Sequence, residues 1–578
     1  MKKNHVERLQ HESPGSLKGS ILLALLPYWT PQIPPVGIAC LKGFLQEHGF
    51  EVKAVDANIE GEVRDIYDKY FNILRGCTSE EKRGNFYNIG HDVLQNHMMA
   101  HLNYQNEEEY IDLVRELVYK TFYFDINPEQ VIALNEIVAE FYIFLESYFL
   151  RLLEKEKPGV LGLSVYKGNL PASVFAFKLT RERFPYIKTV MGGAVFAQTL
   201  GIGTPNFDFF LEKTKNYIDY LIVGEGENLF LKLLRGEFPR WQRVFTLADI
   251  NNETLDLSAA SLLDFSDFRL DVYPNMALYT SRSCPFQCSF CTETVYWGKY
   301  RKKDPKQVVE ELSKLYREYD NQLFLLSDSL LNPVITGLAE ELLNKDFSIY
   351  WDGYLRVNRD TCEEEKAFLW RKGGFYRARI GVESGSQRIL DAMNKKLPIE
   401  QVKTTISNLA NAGIKTTTYF IIGYPGETEE DFQKTLDFVK ELKDDIYEAE
   451  CNPFGYYLDG QVSSDKWREE NKSILLYPEN ARDMLIMQTW VLDEEPKREV
   501  VYERVSRFVK FCKSLGIPNP YSLYDIYMAD DRWKKLHKNA VPSLIEFKNK
   551  EELIDEVKHV HQLYFLENTL QANKDFDL

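Results

Sequence analysis

Two series of alternating strand and helix patterns divide the chain. In the first series, Ser20–Leu26 is a continuous apolar run, which is typical of a strand buried in a parallel sheet. Val36–His48 then shows helical spacing, and Glu51–Asp56 has the pattern of the next strand. The same alternation resumes at Gly159 and continues to Val223. This order of elements predicts an N-terminal, doubly wound, Rossmann-like α/β domain over residues 1–235.

An insertion separates the two halves of that domain. Residues 61–157 place aromatic and apolar side chains at helical spacing among acidic ones, which predicts several helices. His97 and His101 are four residues apart and would share one helix face, but no H-E-x-x-H motif accompanies them, so packed histidines are favoured over zinc ligands. Residues 236–270 lack clear periodicity, and this predicts a linker.

The second series begins near Met276 and contains six strand patterns with helical patterns between them. The predicted strands are Ala277–Thr280, Gln322–Leu326, Ser348–Asp352, Tyr376–Val382, Lys415–Ile422 and Glu448–Phe454. Asp304 before Pro305 predicts the start of the first helix. These units form a second α/β domain over residues 271–455. Residues 456–578 predict a C-terminal helical domain, with helices over Met484–Leu492 and Arg504–Leu515.

Composition narrows the class of protein. A chain of 578 residues is too long for one hydrophobic core, and its 44% hydrophobic and 27% charged residues are ordinary for a globular protein. The net charge of -17 disfavours a nucleic-acid partner, because phosphate binding needs a basic face. No apolar stretch approaches the length of a membrane span or signal peptide, so we expect a cytoplasmic protein without a membrane partner.

Three of the eight cysteines crowd into one short segment. Cys284, Cys288 and Cys291 follow the spacing C-x3-C-x2-C, and no fourth cysteine or histidine lies nearby. Closed zinc sites and ordinary iron–sulfur clusters take four protein ligands, so three thiolates would leave one iron open for another ligand. The alternatives are three incidental cysteines, or half of a zinc site with distant ligands.

This segment resembles the signature of the radical S-adenosylmethionine (SAM) superfamily, in which an aromatic residue, here Phe290, precedes the last cysteine. The resemblance implies a 4Fe-4S cluster on the three cysteines and SAM on the open iron, where one-electron reduction releases a 5′-deoxyadenosyl radical. It also implies that residues 271–455 form a partial, open (βα)6 barrel. Its active site would lie at the carboxyl ends of the strands.

Several strand ends match the superfamily's SAM-binding segments. Ser327–Asn332 resembles the segment that holds the SAM amine, Gly381–Ser386 resembles its G-x-E-S-G ribose segment, and Gly423–Thr428 resembles its G-x-P-G-E-T adenine segment. A helix cap remains open for Asp328, a surface ion pair for Arg356, and a simple turn for Pro425. The SAM-binding residues that the resemblance implies are Phe290, Asp328, Ser329, Arg356, Glu383, Ser384, Gly423 and Pro425.

The first domain resembles the cobalamin-binding domain of cobalamin-dependent radical SAM enzymes. The matching features are Pro34-Pro35-x-Gly37, Gly162-Leu-Ser164, Gly192-Gly193 and Gly224-Glu-Gly-Glu227. The D-x-H-x-x-G motif is absent, which implies that cobalt lacks a histidine as its lower ligand. The alternative is a Rossmann-like domain that has kept this shape but no longer binds cobalamin. The implied cobalamin-binding residues are Tyr28, Pro35, Gly37, Ser164, Val165, Gly192, Gly193, Gly224 and Glu225.

The resemblance implies a methyltransferase that acts on an unactivated carbon. One SAM would methylate cob(I)alamin, and a second would supply the radical that takes a substrate hydrogen before the methyl group is transferred. The expected partners are a small-molecule or ribosomal-peptide substrate from natural-product biosynthesis and a flavodoxin- or ferredoxin-type electron donor. The implied C-terminal domain would contact this substrate. A radical rearrangement or cyclisation without methyl transfer is the first alternative, and a non-catalytic, metal-stapled binding module is the second.

Overall fold

The protein is described here from a computed structural model that covers residues 17–28, 33–273, 275–469, 472–518 and 523–540. The predicted C-terminal domain therefore extends beyond the described residues. The strands are β1 (Ile21–Leu25), β2 (Val52–Asp56), β3 (Val160–Ser164), β4 (Lys188–Gly192), β5 (Tyr220–Val223), β6 (Val244–Thr246), β7 (Met276–Leu278), β8 (Ser281–Arg282), β9 (Arg301–Lys302), β10 (Leu323–Leu326), β11 (Tyr350–Leu355), β12 (Phe375–Glu383), β13 (Lys415–Ile422), β14 (Glu448–Pro453), β15 (Ser473–Leu475) and β16 (Trp490–Leu492).

Helices occupy most of the intervals predicted for them. They are α1 (Val36–Glu47), α2 (Gly61–Cys77), α3 (Phe86–Asn103), α4 (Glu107–Phe122), α5 (Pro128–Glu156), α6 (Leu170–Arg183), α7 (Pro205–Thr214), α8 (Gly226–Arg235), α9 (Glu293–Trp297), α10 (Pro305–Tyr319), α11 (Ile335–Leu343), α12 (Glu364–Lys372), α13 (Gln387–Ala392), α14 (Ile399–Asn411), α15 (Glu429–Glu441), α16 (Ser464–Glu469), α17 (Ala481–Leu485), α18 (Arg498–Ser514) and α19 (Leu523–Leu536).

The chain divides into two compact units, and each is built from several segments. The first unit contains Met1–Tyr273, Ser281–Lys303 and Gly455–Asp493, and the second contains Pro274–Thr280, Asp304–Phe454 and Glu494–Leu578. This division differs from the predicted boundaries. The cysteine segment and the start of the predicted C-terminal domain belong by their contacts to the first unit.

The first unit is built on a sheet of six parallel strands in the order β2-β1-β3-β4-β5-β6. All five residues of β1 are buried, as its continuous apolar run predicts. The insertion is helical and comprises α2 to α5. His97 is buried between the hydroxyls of Tyr70 and Tyr110, at 3.0 and 2.7 Å, and burial lowers the pKa of its imidazole to about 3. This histidine is therefore a packed residue, as the sequence favours.

The predicted linker at residues 236–270 is instead an integral part of the first unit. It supplies β6, which pairs in parallel with β5, and it buries Leu263 and Phe265. Its acidic residues Asp264 and Asp267 form ion pairs with the buried ammonium of Lys42, at 3.1 and 2.8 Å. A segment of irregular periodicity is thus held by buried side chains and paired charges, which a search for periodicity does not detect.

The second unit contains the other six-stranded sheet, and every strand pair in it is parallel. Its order is β14-β13-β12-β11-β10-β7, so each strand lies beside its neighbour in this series, as in an open (βα)6 barrel. Asp304 caps α10 by accepting a hydrogen bond from the backbone N–H of Lys306. Thr428 caps α15 in a reciprocal capping box with Asp431.

The C-terminal part differs from a single helical domain. Residues 455–493 pack in the first unit and include an antiparallel pair, β15 and β16, where a helix over Met484–Leu492 was expected. The prediction of a helix over Arg504–Leu515 is confirmed by α18, which packs in the second unit. None of the helices in the described residues is both long enough and apolar enough to span a bilayer.

Candidate active site

The three cysteines lie in a loop whose two ends are joined by a small hairpin. Antiparallel pairing of β8 with β9 closes residues 283–300. Ser283 enters the loop with a positive φ of 70°, and its hydroxyl donates to the carbonyl of Gly298 at 2.7 Å. Within the loop, the backbone N–H of Cys291 donates to the carbonyl of Cys288 at 3.0 Å. The hairpin therefore holds all three cysteines in one closed loop.

The thiols are close enough to influence one another. Burial raises the pKa of the Cys291 thiol to about 11, and Glu293, Cys288 and Cys284 raise it further by electrostatic repulsion. In the described residues, no group of three or more side chains converges as a site for a single metal ion. A cubane cluster does not require such convergence, because each thiolate binds a different iron. The donor set therefore fits a three-cysteine iron–sulfur cluster.

Two buried glutamates hold the base of this hairpin. The guanidinium of Arg282 donates twice to the carboxylate of Glu227 and lies 3.0 Å from Glu225. Arg301, on the other strand, lies 2.6 Å from Glu225. The carboxylate of Glu225 thus pairs with these two arginines, and its expected role in cobalamin binding stays a prediction. Buried carboxylates need such partners, and the arginines that provide them lie far along the chain.

The cysteine loop also contacts the carboxyl edge of the first sheet. The Tyr296 hydroxyl lies 3.3 Å from the carbonyl of Gly193 and 3.4 Å from that of Gly224. Gly193 has a φ of 112°, and a Cβ there would approach the carbonyl oxygen of Val165 to 2.4 Å. These glycines thus bring backbone, rather than side chains, to the edge where ligands of open α/β sheets bind.

Aromatic side chains lie at the same edge. The rings of Tyr28 and Tyr166 are stacked with centroids 5.9 Å apart, and a Cβ on Gly168 would approach Tyr28 to 2.9 Å. Asn169 donates to the carbonyl of Ser164 at 3.0 Å and accepts from the backbone N–H of Tyr166. Glycine turns beside stacked rings fit a large planar cofactor.

The remaining cobalamin candidates begin α1. Pro35 precedes the helix and accepts from the N–H of Ala39, and Gly37 lies in its first turn, where a Cβ would meet no neighbour. His48, near the end of α1, bonds through Nδ1 to the carbonyl of Phe44 at 2.8 Å. The other described histidines of this unit lie in α3. Among the described residues of the first unit, histidines therefore occur only in α3 and at the end of α1.

Asp328 holds two strands together. Both of its carboxylate oxygens accept from the backbone N–H of Thr280, at 2.7 and 3.0 Å, so the aspartate joins the end of β10 to the residue that follows β7. Asp328 does not cap α11, whose N-cap is Val334, and its expected role as a partner of the SAM amine stays a prediction. Ser329 next to it is exposed.

Glu383 ends β12 in an unusual backbone conformation. Its φ is 68°, and the strand register shifts between Gly381 and Glu383. The carboxylate lies 2.5 Å from the ammonium of Lys395, and the guanidinium of Arg356 donates to the Lys395 carbonyl. The structure thus brings two SAM candidates together through Lys395, a residue that the sequence reasoning missed. Ser384 is buried and accepts from the N–H of Ser386.

The Gly423–Thr428 segment is fastened to the C-terminal helix. Glu427 accepts from the N–H of Gly423 at 2.9 Å and from the guanidinium of Arg504, on α18, at 3.0 Å. Burial raises the pKa of Glu427 to about 7, although the Gly423 N–H and Arg504 oppose this effect. Pro425 lies within a turn in which Glu427 N–H donates to the carbonyl of Tyr424. Both the turn and the strand-end position expected of this segment are therefore present.

Comparison with known proteins decides the class of this chain. Residues 278–439 match the radical SAM superfamily. These residues therefore form a radical SAM domain. The non-catalytic module considered from the sequence is therefore set aside.

Two curated relatives of this chain have the following names and overlaps. The anaerobic magnesium-protoporphyrin IX monomethyl ester cyclase of Rubrivivax gelatinosus is 29% identical over 319 residues, which are 50% of this chain and 55% of the relative. An uncharacterized methyltransferase of Pyrococcus horikoshii is 26% identical over 322 residues, 50% of this chain and 66% of the relative. The chain thus spans less than two thirds of either relative.

A solved structure extends the similarity of fold beyond the radical SAM domain. The radical SAM methyltransferase TsrM from Kitasatospora setae, with cobalamin and a [4Fe-4S] cluster bound, superposes with a TM-score of 0.55 at 13% identity. The match covers 94% of this chain and 100% of TsrM. The predicted fold class, a Rossmann-like domain followed by a radical SAM barrel, is confirmed.

The radical SAM domain also contains a polar network that the sequence reasoning missed. Arg379 pairs with Asp352 at 2.8 Å, and Arg377 pairs with Glu448 at 2.5 Å. These charges occupy alternate positions on β11, β12 and β14, and alternation along a strand places them on one face of the sheet. The signal was present in sequences such as Arg377-Ala-Arg379, because charged residues interrupt otherwise buried strands.

Proposed function

We propose that this radical SAM enzyme is a cobalamin-dependent methyltransferase that transfers a methyl group to an unactivated carbon. Three findings support the proposal: the radical SAM domain, the fold shared with TsrM, and the methyltransferase name of a curated relative. The proposal assigns the 4Fe-4S cluster to Cys284, Cys288 and Cys291. It assigns cobalamin to the carboxyl edge of the first sheet.

One observation carries the proposal furthest. The cysteine hairpin and the sheet edge with the cobalamin candidates belong to the same compact unit. The buried pairs of Arg282 and Arg301 with Glu225 and Glu227 fasten the hairpin to this edge, and Tyr296 contacts its glycine turns. Methylation of a carbon radical requires the methyl carrier and the radical source to serve one substrate. A shared rigid support for the two sites meets this requirement.

The residues of the chain would bind and orient the cofactors rather than perform the chemistry themselves. When bound, the cluster supplies an electron for SAM cleavage and cobalamin supplies the methyl group. The thiolates hold three irons, the glycine turns admit the corrin ring, and Glu383, beside Lys395, offers carboxylate oxygens to the ribose hydroxyls of SAM. Gly423 and Pro425 offer backbone to its adenine ring.

The proposal extends to substrate and partners. The substrate would be a small molecule or a ribosomal peptide of a natural-product pathway, and reduction would come from a flavodoxin- or ferredoxin-type protein. The net charge of -17 and the absence of a membrane span among the described helices support a cytoplasmic enzyme with neither a nucleic-acid nor a membrane partner.

A cyclisation without methyl transfer is the second candidate, and one observation favours it. The Rubrivivax gelatinosus relative is named as a cyclase. Both reactions would begin with abstraction of a substrate hydrogen, and they differ in the fate of the SAM methyl group. S-adenosylhomocysteine accumulates only if SAM donates its methyl group, so its release distinguishes the two candidates.

The test is anaerobic reconstitution of the full chain with iron, sulfide and hydroxocobalamin, followed by desalting and metal analysis. We expect about four irons and about one cobalt per chain, since a cubane holds four irons. The Cys284→Ala, Cys288→Ala, Cys291→Ala triple variant should lose the iron and keep the cobalt. With SAM and a chemical reductant, hydroxocobalamin should stimulate S-adenosylhomocysteine release. The Cys362→Ala variant, altered at a cysteine outside the loop, is the matched control and should retain both metals.

Two outcomes would contradict the methyltransferase. Iron without cobalt would leave the radical chemistry in place and remove cobalamin from the mechanism. Iron and cobalt together with 5′-deoxyadenosine, but without S-adenosylhomocysteine, would favour the cyclisation candidate.

A further inference from the structure

The inner face of the radical SAM barrel is polar along four neighbouring strands. On β11 to β14, alternate side chains are apolar and fully buried, for example Trp351, Ile380 and Phe420. The positions between them hold charged or hydroxyl-bearing residues, which face away from that apolar layer. The residues of this polar face are Asp352, Tyr354, Arg377, Arg379, Lys415, Thr417, Tyr419, Glu448 and Glu450.

The lower level of this face consists of two arginine–carboxylate ion pairs. In each pair, one of the two carboxylate oxygens lacks a hydrogen-bond partner within the described residues. Asp352 and Glu448 are completely buried and each accepts from one arginine through a single oxygen, with distances of 2.9 and 2.5 Å. The second oxygen of each, Oδ1 and Oε1 respectively, has no hydrogen-bond partner within the described part of the chain. Buried carboxylate oxygens of this kind favour a nearby donor or positive charge.

The upper level is a cluster of two tyrosines and a glutamate, and we call the space beside it the Glu450 pocket. Tyr354 is 38% exposed, and its ring centroid lies 5.9 Å from that of Tyr419. Tyr419 pairs with Glu450 in the strand register, and the Tyr419 hydroxyl lowers the pKa of the Glu450 carboxyl. Arg379 donates to the Tyr419 hydroxyl at 3.3 Å and lies 5.8 Å from the Tyr354 ring.

The charges on this face do not balance. Three carboxylates, of Asp352, Glu448 and Glu450, face the two guanidiniums of Arg377 and Arg379. The third cation of this face, the ammonium of Lys415, is already paired with Asp530 on α19 at 2.5 Å. Both guanidiniums are engaged by the lower carboxylates, and Glu450 is left with the Tyr419 hydroxyl. Nearer the strand ends, Arg356 is directed at the Lys395 carbonyl, and the Lys395 ammonium pairs with Glu383. A ligand with one positive charge would restore neutrality at Glu450.

We infer that the Glu450 pocket binds a cationic nitrogen of the substrate, with Glu450 as its counter-ion and Tyr354 and Tyr419 as the aromatic walls. Tyrosine faces attract ammonium groups, and the combination of ring faces with a carboxylate is a common way to recognise amines. The inference rests on the proposed function, because it assumes that the barrel is where the substrate binds. It makes the substrate class an amine that carries an apolar or aromatic body.

The ionisation of Glu450 supports this assignment. Burial and then the charge of Glu448 raise its pKa to about 7, against the lowering effects of Arg377, Arg379 and the Tyr419 hydroxyl. An amine that stays protonated over this range would bind the ionised form of Glu450. Its affinity should therefore rise between pH 6 and pH 8, by about tenfold if the carboxylate alone governs binding.

The experiment compares three probes that share one aromatic body. Phenethylamine, 2-phenylethanol and 3-phenylpropionate are titrated into the reconstituted full chain at pH 8, and binding is followed by calorimetry. We expect phenethylamine to bind at least about tenfold more tightly than the alcohol, and the propionate to bind least, as an ion pair in a desolvated site requires. Failure of phenethylamine to bind at millimolar concentration, or equal binding of all three probes, would overturn the inference.

Substitutions test which residues are responsible for the preference for the amine. Glu450→Gln should lose the preference for the amine and the rise of affinity with pH, whereas Glu365→Gln, at an exposed glutamate of the same unit, should keep both. Tyr354→Leu should weaken phenethylamine several-fold more than 2-phenylethanol. It gives an independent test if the Glu450 variant is unstable. An unchanged amine preference in either folded variant would contradict the pocket.

One further titration separates the substrate amine from the amine of SAM. SAM should bind Glu450→Gln as tightly as the unaltered protein, because the assignment concerns the substrate. Loss of SAM affinity with retained phenethylamine binding would overturn it. These readouts require neither cobalamin nor methyl transfer, so their failure is distinguishable from failure of the proposed function.

Discussion

Arg282 and Glu227 form a two-point contact, with hydrogen bonds of 3.2 and 2.5 Å between guanidinium and carboxylate. The two residues are 55 positions apart in the chain and are both almost completely buried. Burial opposes ionisation of Glu227, but Arg282 and Cys40 hold the pKa of its carboxyl below the usual value. The cysteine hairpin is therefore fixed to the first sheet through a charged pair that water scarcely reaches.

Glu227→Gln should destabilise the first unit and impair cluster loading. Breaking one side of a buried pair costs about 3–5 kcal/mol, because the remaining charge is left uncompensated. We expect a lower thermal midpoint and a lower iron content after reconstitution. Glu253→Gln, at an exposed glutamate of the same unit, is the control and should change neither measurement. Normal iron loading in Glu227→Gln would show that the pair does not support the loop.

Gly423→Ala should destabilise the contact between the adenine segment and α18. Gly423 has a φ of 80°, and a Cβ there would approach the Val501 side chain to 2.3 Å. The left-handed conformation costs about 1–2 kcal/mol and overpacking about 1–3 kcal/mol more. Gly426→Ala has a similar φ of 82° but no neighbour within 4 Å, so it isolates the first effect. The thermal midpoints of both variants measure the difference.

A second substitution sharpens this test. Val501→Ala in the Gly423→Ala background should recover part of the lost stability, because it removes the methyl groups that the new Cβ would meet. If Val501→Ala adds its own loss without any recovery, the clash is not the cause.

Glu427 should make stability depend on pH near neutrality. Burial raises its pKa in the folded protein from 4.5 to about 7, so its contribution is complete below pH 4.5 and is lost as pH rises through 7. Relative to Glu427→Gln, the unaltered protein should lose about 2 kcal/mol between pH 5 and pH 8. Unfolding curves of the two proteins at each pH measure this difference. A gap that stays constant across the range would refute the raised pKa.

Glu383→Gln should weaken SAM binding by about tenfold or more. A carboxylate makes stronger hydrogen bonds to hydroxyls than an amide does, and such charge-assisted bonds contribute about 1.5–3 kcal/mol. Calorimetric titration of SAM into the reconstituted protein measures the change. Glu365→Gln, at an exposed glutamate of the same unit that is not a SAM candidate, is the control. Equal SAM affinity in the two variants would remove Glu383 from the ribose site.

Much of the fold was readable from local patterns. All six barrel strands overlap the segments that apolar positions and strand-end motifs predict, because at least one face of each strand is buried. The contact of Arg282 with Glu227 was not readable, since both residues occur in segments with other plausible roles. Nothing local indicates that a residue of the cysteine hairpin pairs with a glutamate of the Gly-Glu-Gly-Glu turn.

Two other features were not predicted from the sequence, and the reasons differ. Residues 236–270 have no period because they lie along the first unit as turns around the short strand β6. The polar inner face of the barrel has a clear period of two, yet it was masked by the search for apolar runs. Reading Glu448-Ala-Glu450 for alternation would have placed both carboxylates on one face.

The division of the chain into interleaved segments also limits how its parts can be exchanged. The polypeptide passes between the two units at residues 273/274, 280/281, 303/304, 454/455 and 493/494. No single cut therefore separates the units, and a fragment ending at Tyr273 would lack the arginines that its buried glutamates need. A chimera that takes its first unit from a relative must transplant three separate stretches of sequence together.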